Sequence, residues 1–176
     1  MRETPLEALE PDCWLHPRLE VRPSPVSGVG LFATAAIPAG TVVSRLGGRL
    51  VTWDQLRPLL TGPYVDTITV SEDLNLVLPS DTPNGKGNHS CDPNLWWTGP
   101  YTLATRRDLT PGEEATNDYA TSTAAPDFTM DCRCGAALCR GRVTGADWRR
   151  PDLQEHYGEH WVPALLALIR GQAVGA

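Results

Sequence analysis

The sequence predicts a mostly β fold with a helical tail. Short runs of alternating or β-branched residues recur along the first two thirds of the chain, parted by Pro, Gly, Asn and Asp. Segments with a helical period are few, and most of them follow residue 146. There is no internal repeat and no strand–helix–strand rhythm, so a dinucleotide-type parallel sheet is not expected.

Taken in order, Pro11 to Pro17 reads as a turn-rich lead into a strand at Leu19–Arg22. Pro23 to Gly28 is a turn, and Gly28 to Ala33 runs from glycine into apolar residues. Ile37-Pro38-Ala39-Gly40 turns the chain into a strand over Thr41–Leu46, and Arg49–Thr52 returns as a hairpin partner. Trp53–Leu60 has the spacing of a short helix, closed by Gly62-Pro63. Thr67–Val70 and Asn75–Leu78 read as two strands around Ser71-Glu72-Asp73, and residues 79–94 are nearly all turn formers. Strand signals resume at Leu95–Trp97, Tyr101–Thr105 and Ala115–Tyr119. Past the cysteines, Asp147 is placed to cap a helical turn carrying Leu153 and Tyr157, which Gly158 stops. Trp161, Leu165, Leu168 and Ile169 then mark a last amphipathic helix with Gly171 beyond its end.

The 176 residues suffice for one domain with a proper core. No apolar run reaches the ~18–20 residues of a membrane span, and Met1 to Glu10, with three glutamates, does not read as a signal peptide. A net charge of -6 argues against a nucleic-acid backbone as the main partner and suits a basic one. The expected setting is the cytoplasm, or the nucleus for a eukaryotic source. Five cysteines, with Cys132, Cys134 and Cys139 inside eight residues, read as metal ligands in a reducing compartment rather than as a disulfide scaffold. Cys13 is left over as a free thiol.

Three segments carry candidate chemistry. Gly28-Val29-Gly30 lets backbone pass close to a ligand, although a tight turn would look the same. Asn88-His89-Ser90-Cys91-Asp92-Pro93-Asn94 packs amides, an imidazole, a hydroxyl and a thiol into seven residues. A solvated loop explains its asparagines but not the adjoining His and Cys. Asp108-Leu109-Thr110-Pro111-Gly112-Glu113-Glu114, followed by Asn117-Asp118-Tyr119, reads alone as a turn and a strand.

In this order, the glycine loop, the NHSCDPN and GEEATNDY segments and the later cysteines resemble SET-domain protein-lysine methyltransferases with a post-SET tail. The resemblance covers about Leu19 to Gly141. It implies a SET fold, with short strands in small sheets and a pseudoknot formed by the segments around Asn88 and Tyr119. It divides the chain into an extension (1–18), a SET domain (19–121), a post-SET zinc segment (122–145) and a helical tail (146–176). The cofactor it implies is S-adenosylmethionine, lined by the backbone of Gly28, Val29, Gly30 and Leu31 and held by Asn88 and His89. Tyr119 corresponds to the catalytic tyrosine beside the transferring methyl. The partner it implies is a protein segment with an exposed lysine.

Cys132, Cys134 and Cys139 supply three thiolates, one fewer than a closed structural zinc site needs. Cys91 is required as the fourth, and the resemblance assigns it that role; buried core cysteines or a disulfide pair are the competing readings. His156 and His160 also lie four apart, but no acidic or cysteine set joins them. One departure from the family pattern is Asn117, where members usually carry an aromatic that governs how many methyls are added. Here it leaves a more open, polar wall to the substrate channel. Another is Gly85-Lys86-Gly87, which replaces an arginine and an aromatic. A non-catalytic SET module that binds a partner is the alternative these departures raise.

Overall fold

The computed structural model describes residues 13–63 and 65–174. The leading segment Met1–Glu10 lies outside the described residues. Strands β1 (Trp14–Leu15), β2 (Leu19–Pro23), β3 (Val29–Ala33), β4 (Val42–Arg45) and β5 (Arg49–Thr52) precede helix α1 (Trp53–Leu60). Strands β6 (Thr67–Thr69), β7 (Leu74–Val77), β8 (Asn88–His89), β9 (Leu95–Trp97), β10 (Thr102–Thr105) and β11 (Glu114–Asn117) follow. A ribbon of β12 (Thr129–Asp131) and β13 (Arg142–Thr144) frames the cysteine loop, and helices α2 (Pro151–Tyr157) and α3 (Pro163–Val174) close the chain. The expected class, small β sheets with a cysteine-rich loop and a helical tail, is the one observed.

One sheet has the order β1-β4-β10-β9 and another β2-β3-β11-β8, while β5-β7-β6 forms a third. The second sheet builds the site. Strand β3 is buried from Gly30 to Ala33 because it lies between β2 and β11, so its residues read as a continuous apolar run rather than as an alternation. On its far side β11 takes β8 as a parallel partner, with Thr116 opposite Asn88 and Asn117 opposite His89. That pairing sets the NHSCDPN and GEEATNDY segments side by side.

Two apolar clusters hold these sheets. The smaller joins Leu19, Leu31, Ala33, Ile37, Val43, Leu95, Leu109 and Ala115 under the β2-β3-β11-β8 sheet. The larger gathers Leu76, Trp97 and Leu103 from the strands and Leu78 just past β7 with Trp148, Tyr157, Trp161 and Leu165 from the tail. The tail is therefore part of the core. Val162 N–H donates to Thr121 O at 3.0 Å, which fixes its entry beside the Tyr119 segment.

Helix α1 begins at a capping box: the Thr52 side chain accepts from Gln55 N–H, and the Gln55 side chain accepts from Thr52 N–H. Several expectations need correction. The Pro11–Pro17 lead contributes β1, whose Trp14 and Leu15 lie opposite Arg45 and Ser44. The turn-rich stretch 79–94 holds a 3-10 turn, Pro83–Lys86, and all of β8. Its Asn84 is buried and donates to Trp14 O (2.8 Å) and Ser44 Oγ (2.7 Å), so polar composition there reflects internal hydrogen bonding. Tyr119 is not in a strand; it begins a 3-10 turn capped by Asp118.

Two further corrections concern the tail. The last helix begins at Pro163 rather than Trp161 and runs through Gly171 to Val174. Proline fits the first helical position, where its missing N–H costs nothing, and one interior glycine weakens a helix by only about 1 kcal/mol. Asp147 does not cap α2; it is buried and accepts from Thr144 Oγ1 at 2.9 Å. Gly158 ends α2 with φ 53°, as its sequence position requires.

Gly145 joins the β12–β13 ribbon to the tail. A Cβ there would lie 1.8 Å from Ala125 O and 2.8 Å from Ala125 C, both backbone atoms. Gly145→Ala is accordingly expected to destabilise the protein by about 1–3 kcal/mol. In thermal denaturation this is a fall of roughly 3–10 °C in Tm.

Candidate active site and metal centre

The GEEATNDY segment is stitched to the NHSCDPN segment by two side-chain amides, the buried Asn94 and the half-buried Asn88. Asn94 Oδ1 accepts from Thr116 N–H (2.9 Å), and its Nδ2 donates to Glu114 O (2.8 Å) and Glu113 Oε1 (3.1 Å). Asn88 Nδ2 donates to Val29 O (3.0 Å), Ser27 O (3.2 Å) and Glu114 Oε1 (2.8 Å). The Asn88 amide thus holds the glycine loop onto β8. Glu114 completes this anchor by accepting from Ser24 Oγ at 2.8 and 2.9 Å. A Cβ at position 30 would lie 2.0 Å from Glu114 Oε1, so a side chain there would push the Glu114 carboxylate out of this anchor.

A cleft of about 630 Å³ opens beside this loop, bordered by Val26 to Val29, Lys86, Asn88, His89 and Tyr119, with Asp131 and Arg133 on its outer side. Gly30 instead packs against Glu114, and the Leu31 side chain belongs to the smaller core cluster. A second, larger groove of about 1200 Å³ lies between α1, the β5-β7-β6 sheet and α3. Asn117 and Tyr119 line it beside Leu46, Trp97 and Leu103. Asp66, Gly85, Gly87 and Tyr119 border both spaces and so form the partition between them.

Tyr119 is held at both ends. Its N–H donates to His89 Nδ1 (3.2 Å) and its hydroxyl donates to Gly87 O (2.8 Å). The His89 ring is buried and lies 5.3 Å from the Tyr119 ring between centroids. Burial, countered in part by Asp118, brings His89 down to about 4, so the ring is neutral near pH 7. A neutral ring accepting at Nδ1 carries its proton on Nε2, which faces Cys91 Sγ at 3.3 Å.

The sulfurs of Cys91, Cys132, Cys134 and Cys139 all lie within 4.8 Å of one another. Cys91 and Cys132 are 3.7 Å apart, close to the ~3.8 Å edge of a tetrahedron with ~2.3 Å metal–sulfur bonds. Each sulfur also accepts at least one backbone N–H: Cys91 from Arg140 (3.3 Å), Cys132 from Cys134 (3.5 Å), Cys134 from Cys91 (3.5 Å) and Cys139 from Gly141 (3.4 Å). Such donors stabilise thiolate charge around a metal. Although burial opposes it, the N–H groups of Cys91 and Ala136 and the neighbouring thiols draw Cys134 down to about 7. The donor set fits one soft, four-coordinate ion.

Residues 28–120 match the SET domain family. That is more than half of the chain. It belongs to the SET-domain family. The SET chain is 27% identical to Drosophila melanogaster histone-lysine N-methyltransferase ash1 over 135 residues, which is 69% of this chain and 6% of that protein. Its fold is similar to the methyltransferase domain of human histone-lysine N-methyltransferase SETMAR, with a TM-score of 0.59 at 22% identity. That match covers 73% of this chain and 57% of the solved one.

Elsewhere in the SET chain, Cys13 lies apart from the four-sulfur centre and donates to Gly47 O at 3.3 Å. His160 stacks on Trp96 with centroids 3.4 Å apart, and its Nδ1 sits 2.9 Å from Trp97 O, so it does not join His156 in a second centre. Sequence reasoning gave no role to Asp66, Glu114, Asp118 or Arg140. Glu114 stood in a recognised motif, but its contact with Ser24, ninety positions away, leaves no local signature. Hydrogen bonds to a charged acceptor contribute about 1.5–3 kcal/mol. Glu114→Gln is expected to loosen the glycine loop and weaken methyl-donor binding about tenfold, read by titration calorimetry, with little change in circular dichroism.

Proposed function

We propose that this chain transfers a methyl group from S-adenosylmethionine to the side-chain amine of a lysine in a protein substrate, with one structural zinc ion held by Cys91, Cys132, Cys134 and Cys139. The observation that supports this best is the partition. Tyr119 borders both the cleft beside the glycine loop and the larger apolar groove, so a donor and an acceptor entering from separate spaces would meet at one side chain. The smaller space, about 630 Å³, is of the size that takes a cofactor. Gly28, Val29, Asn88 and His89 would hold it, and when bound it supplies an electrophilic methyl on sulfur.

The chain's own residues account for the rest. A lysine has a pKa of about 10.4, and deprotonating it at pH 7 costs about 4–5 kcal/mol. An amine entering between Leu46, Trp97 and Leu103 leaves water, and burial favours its neutral, nucleophilic form. The Tyr119 proton is committed to Gly87 O, so toward an incoming amine the phenol oxygen acts as an acceptor. It orients the lone pair instead of removing the proton. Alignment of this kind contributes several kcal/mol to a displacement reaction. Asn117, 8% exposed beside Gly87, presents a carboxamide where an aromatic would narrow the wall.

The groove also indicates the substrate's neighbourhood. Its charged lining residues are Asp66, Glu72 and Asp127 against Arg57, among apolar residues that include the exposed Leu60 and Leu168. A segment with further positive charge and a bulky apolar side chain near the acceptor lysine matches that lining. Asn117 is the feature that favours a non-catalytic module. Titration with S-adenosylmethionine separates the readings: saturable one-to-one binding, weakened in Glu114→Gln, supports the enzyme. No binding at millimolar donor contradicts it.

A further inference from the structure

The Asp118 and Arg140 side chains are 0% and 5% exposed and pair through two bonds, at 2.6 and 2.7 Å. Asp118 also accepts from Tyr157 Oη (2.8 Å) and Ala120 N–H (3.0 Å), so its acceptor positions are filled. Arg140 Nε lies 3.3 Å from Asp147 Oδ2, and Asp147 is itself held by Thr144. Four separate segments meet there: the end of β11, the cysteine loop, the turn after β13, and α2.

A buried ion pair adds little net stability, because desolvation of both charges offsets their attraction; what it can fix is geometry. The geometry here is specific. Asp118 immediately precedes Tyr119, whose N–H and hydroxyl are both committed on the partition. Arg140 immediately follows Cys139, and its own N–H donates to Cys91 Sγ. One residue thus touches the sulfur centre through its backbone and, through its guanidinium, the carboxylate of the residue next to Tyr119.

We infer that Asp118 and Arg140 form a positioning pair through which metal loading sets the position of the Tyr119 side chain. Neither residue touches the two substrate spaces; they act through Tyr119. The consequence for catalysis rests on the methyl transfer proposed above, whereas the positional coupling rests only on a metal at the four sulfurs.

The test is fluorine NMR on the full zinc-loaded chain carrying fluorotyrosine, with the Tyr119 resonance assigned by its loss in Tyr119→Phe. In the wild type, chelating the metal is expected to move that resonance. Arg140→Met, with one zinc still bound by native mass spectrometry and the Tyr101 resonance unmoved, is expected to place it at the metal-free position. Arg140→Lys should restore part of the shift. In methyl transfer, kcat should fall about 30-fold or more in Arg140→Met with KM for the donor within about threefold, the pattern of a lost alignment. Asp118→Asn keeps the shape and removes the charge, and it carries the same test if Arg140→Met does not fold. A Tyr119 resonance that stays at its wild-type position in a zinc-bound variant overturns the inference, even if Tm falls. Because the resonance reads position and not turnover, a wild-type protein without transferase activity would overturn the proposed function and leave this result standing.

Discussion

Tyr119→Phe is expected to lower methyl transfer about 10²-fold or more while donor affinity changes by less than about threefold. The asymmetry follows from where the side chain sits. Its ring borders the cofactor cleft, but the contacts that build that cleft run through Asn88, Glu114 and Ser24, which the substitution leaves intact. What disappears is the hydroxyl, with its bond to Gly87 O and its acceptor role toward the amine. Misplacing a reacting atom by about 1 Å can cost 10²-fold, so removing the group that orients it has an effect of at least that size. Single-turnover kinetics beside calorimetry separates the two quantities. A variant that loses donor binding in proportion to rate would assign Tyr119 to the cofactor pocket alone.

Cys139→Ser is expected to release the zinc and, with it, most of the activity. Cys139 is the exposed member of the four-sulfur centre, so the change disturbs no core packing and tests coordination directly. Structural zinc contributes about 10–16 kcal/mol of apparent binding energy in small domains, and even changes to residues behind the ligands cost 10–100-fold in affinity. Losing one of four thiolates should therefore exceed about 10²-fold. Apart from its sulfurs, the loop between β12 and β13 is held by the buried Arg140–Asp118 pair, while its apolar Leu138 is 64% exposed. Native mass spectrometry should find one zinc in the wild type and none in the variant, with a lower Tm. A folded, active, metal-free wild type would contradict the assignment.

How legible the site was depended on the distance over which its parts interact. The glycine loop, the NHSCDPN segment and the cysteine run are local patterns, and the structure brings them together through the Asn88 amide and the four sulfurs. The fourth ligand, Cys91, was accessible because three clustered thiols call for one more. The buried Asp118–Arg140 pair was not, because an Asp in a polar run and an Arg in a cysteine loop have the look of solvated surface. Their burial depends on the tail: Tyr157 from α2 supplies one of the donors to Asp118. The tail helix was misplaced by two residues at its start for a simpler reason. Trp161 fits the apolar period, yet proline favours the first helical position, and the structure starts the helix at Pro163.

The central claim is that the two spaces meeting at Tyr119 exchange a methyl group, and its most direct measurement is transfer itself. Purified protein is incubated with methyl-labelled S-adenosylmethionine and a cell lysate, with Tyr119→Phe in parallel. Lys86 is the only lysine in this chain, so self-labelling is confined to one known site. The account predicts label on lysine in a discrete foreign protein, absent with the variant. Saturable donor binding with no label on any lysine would contradict it.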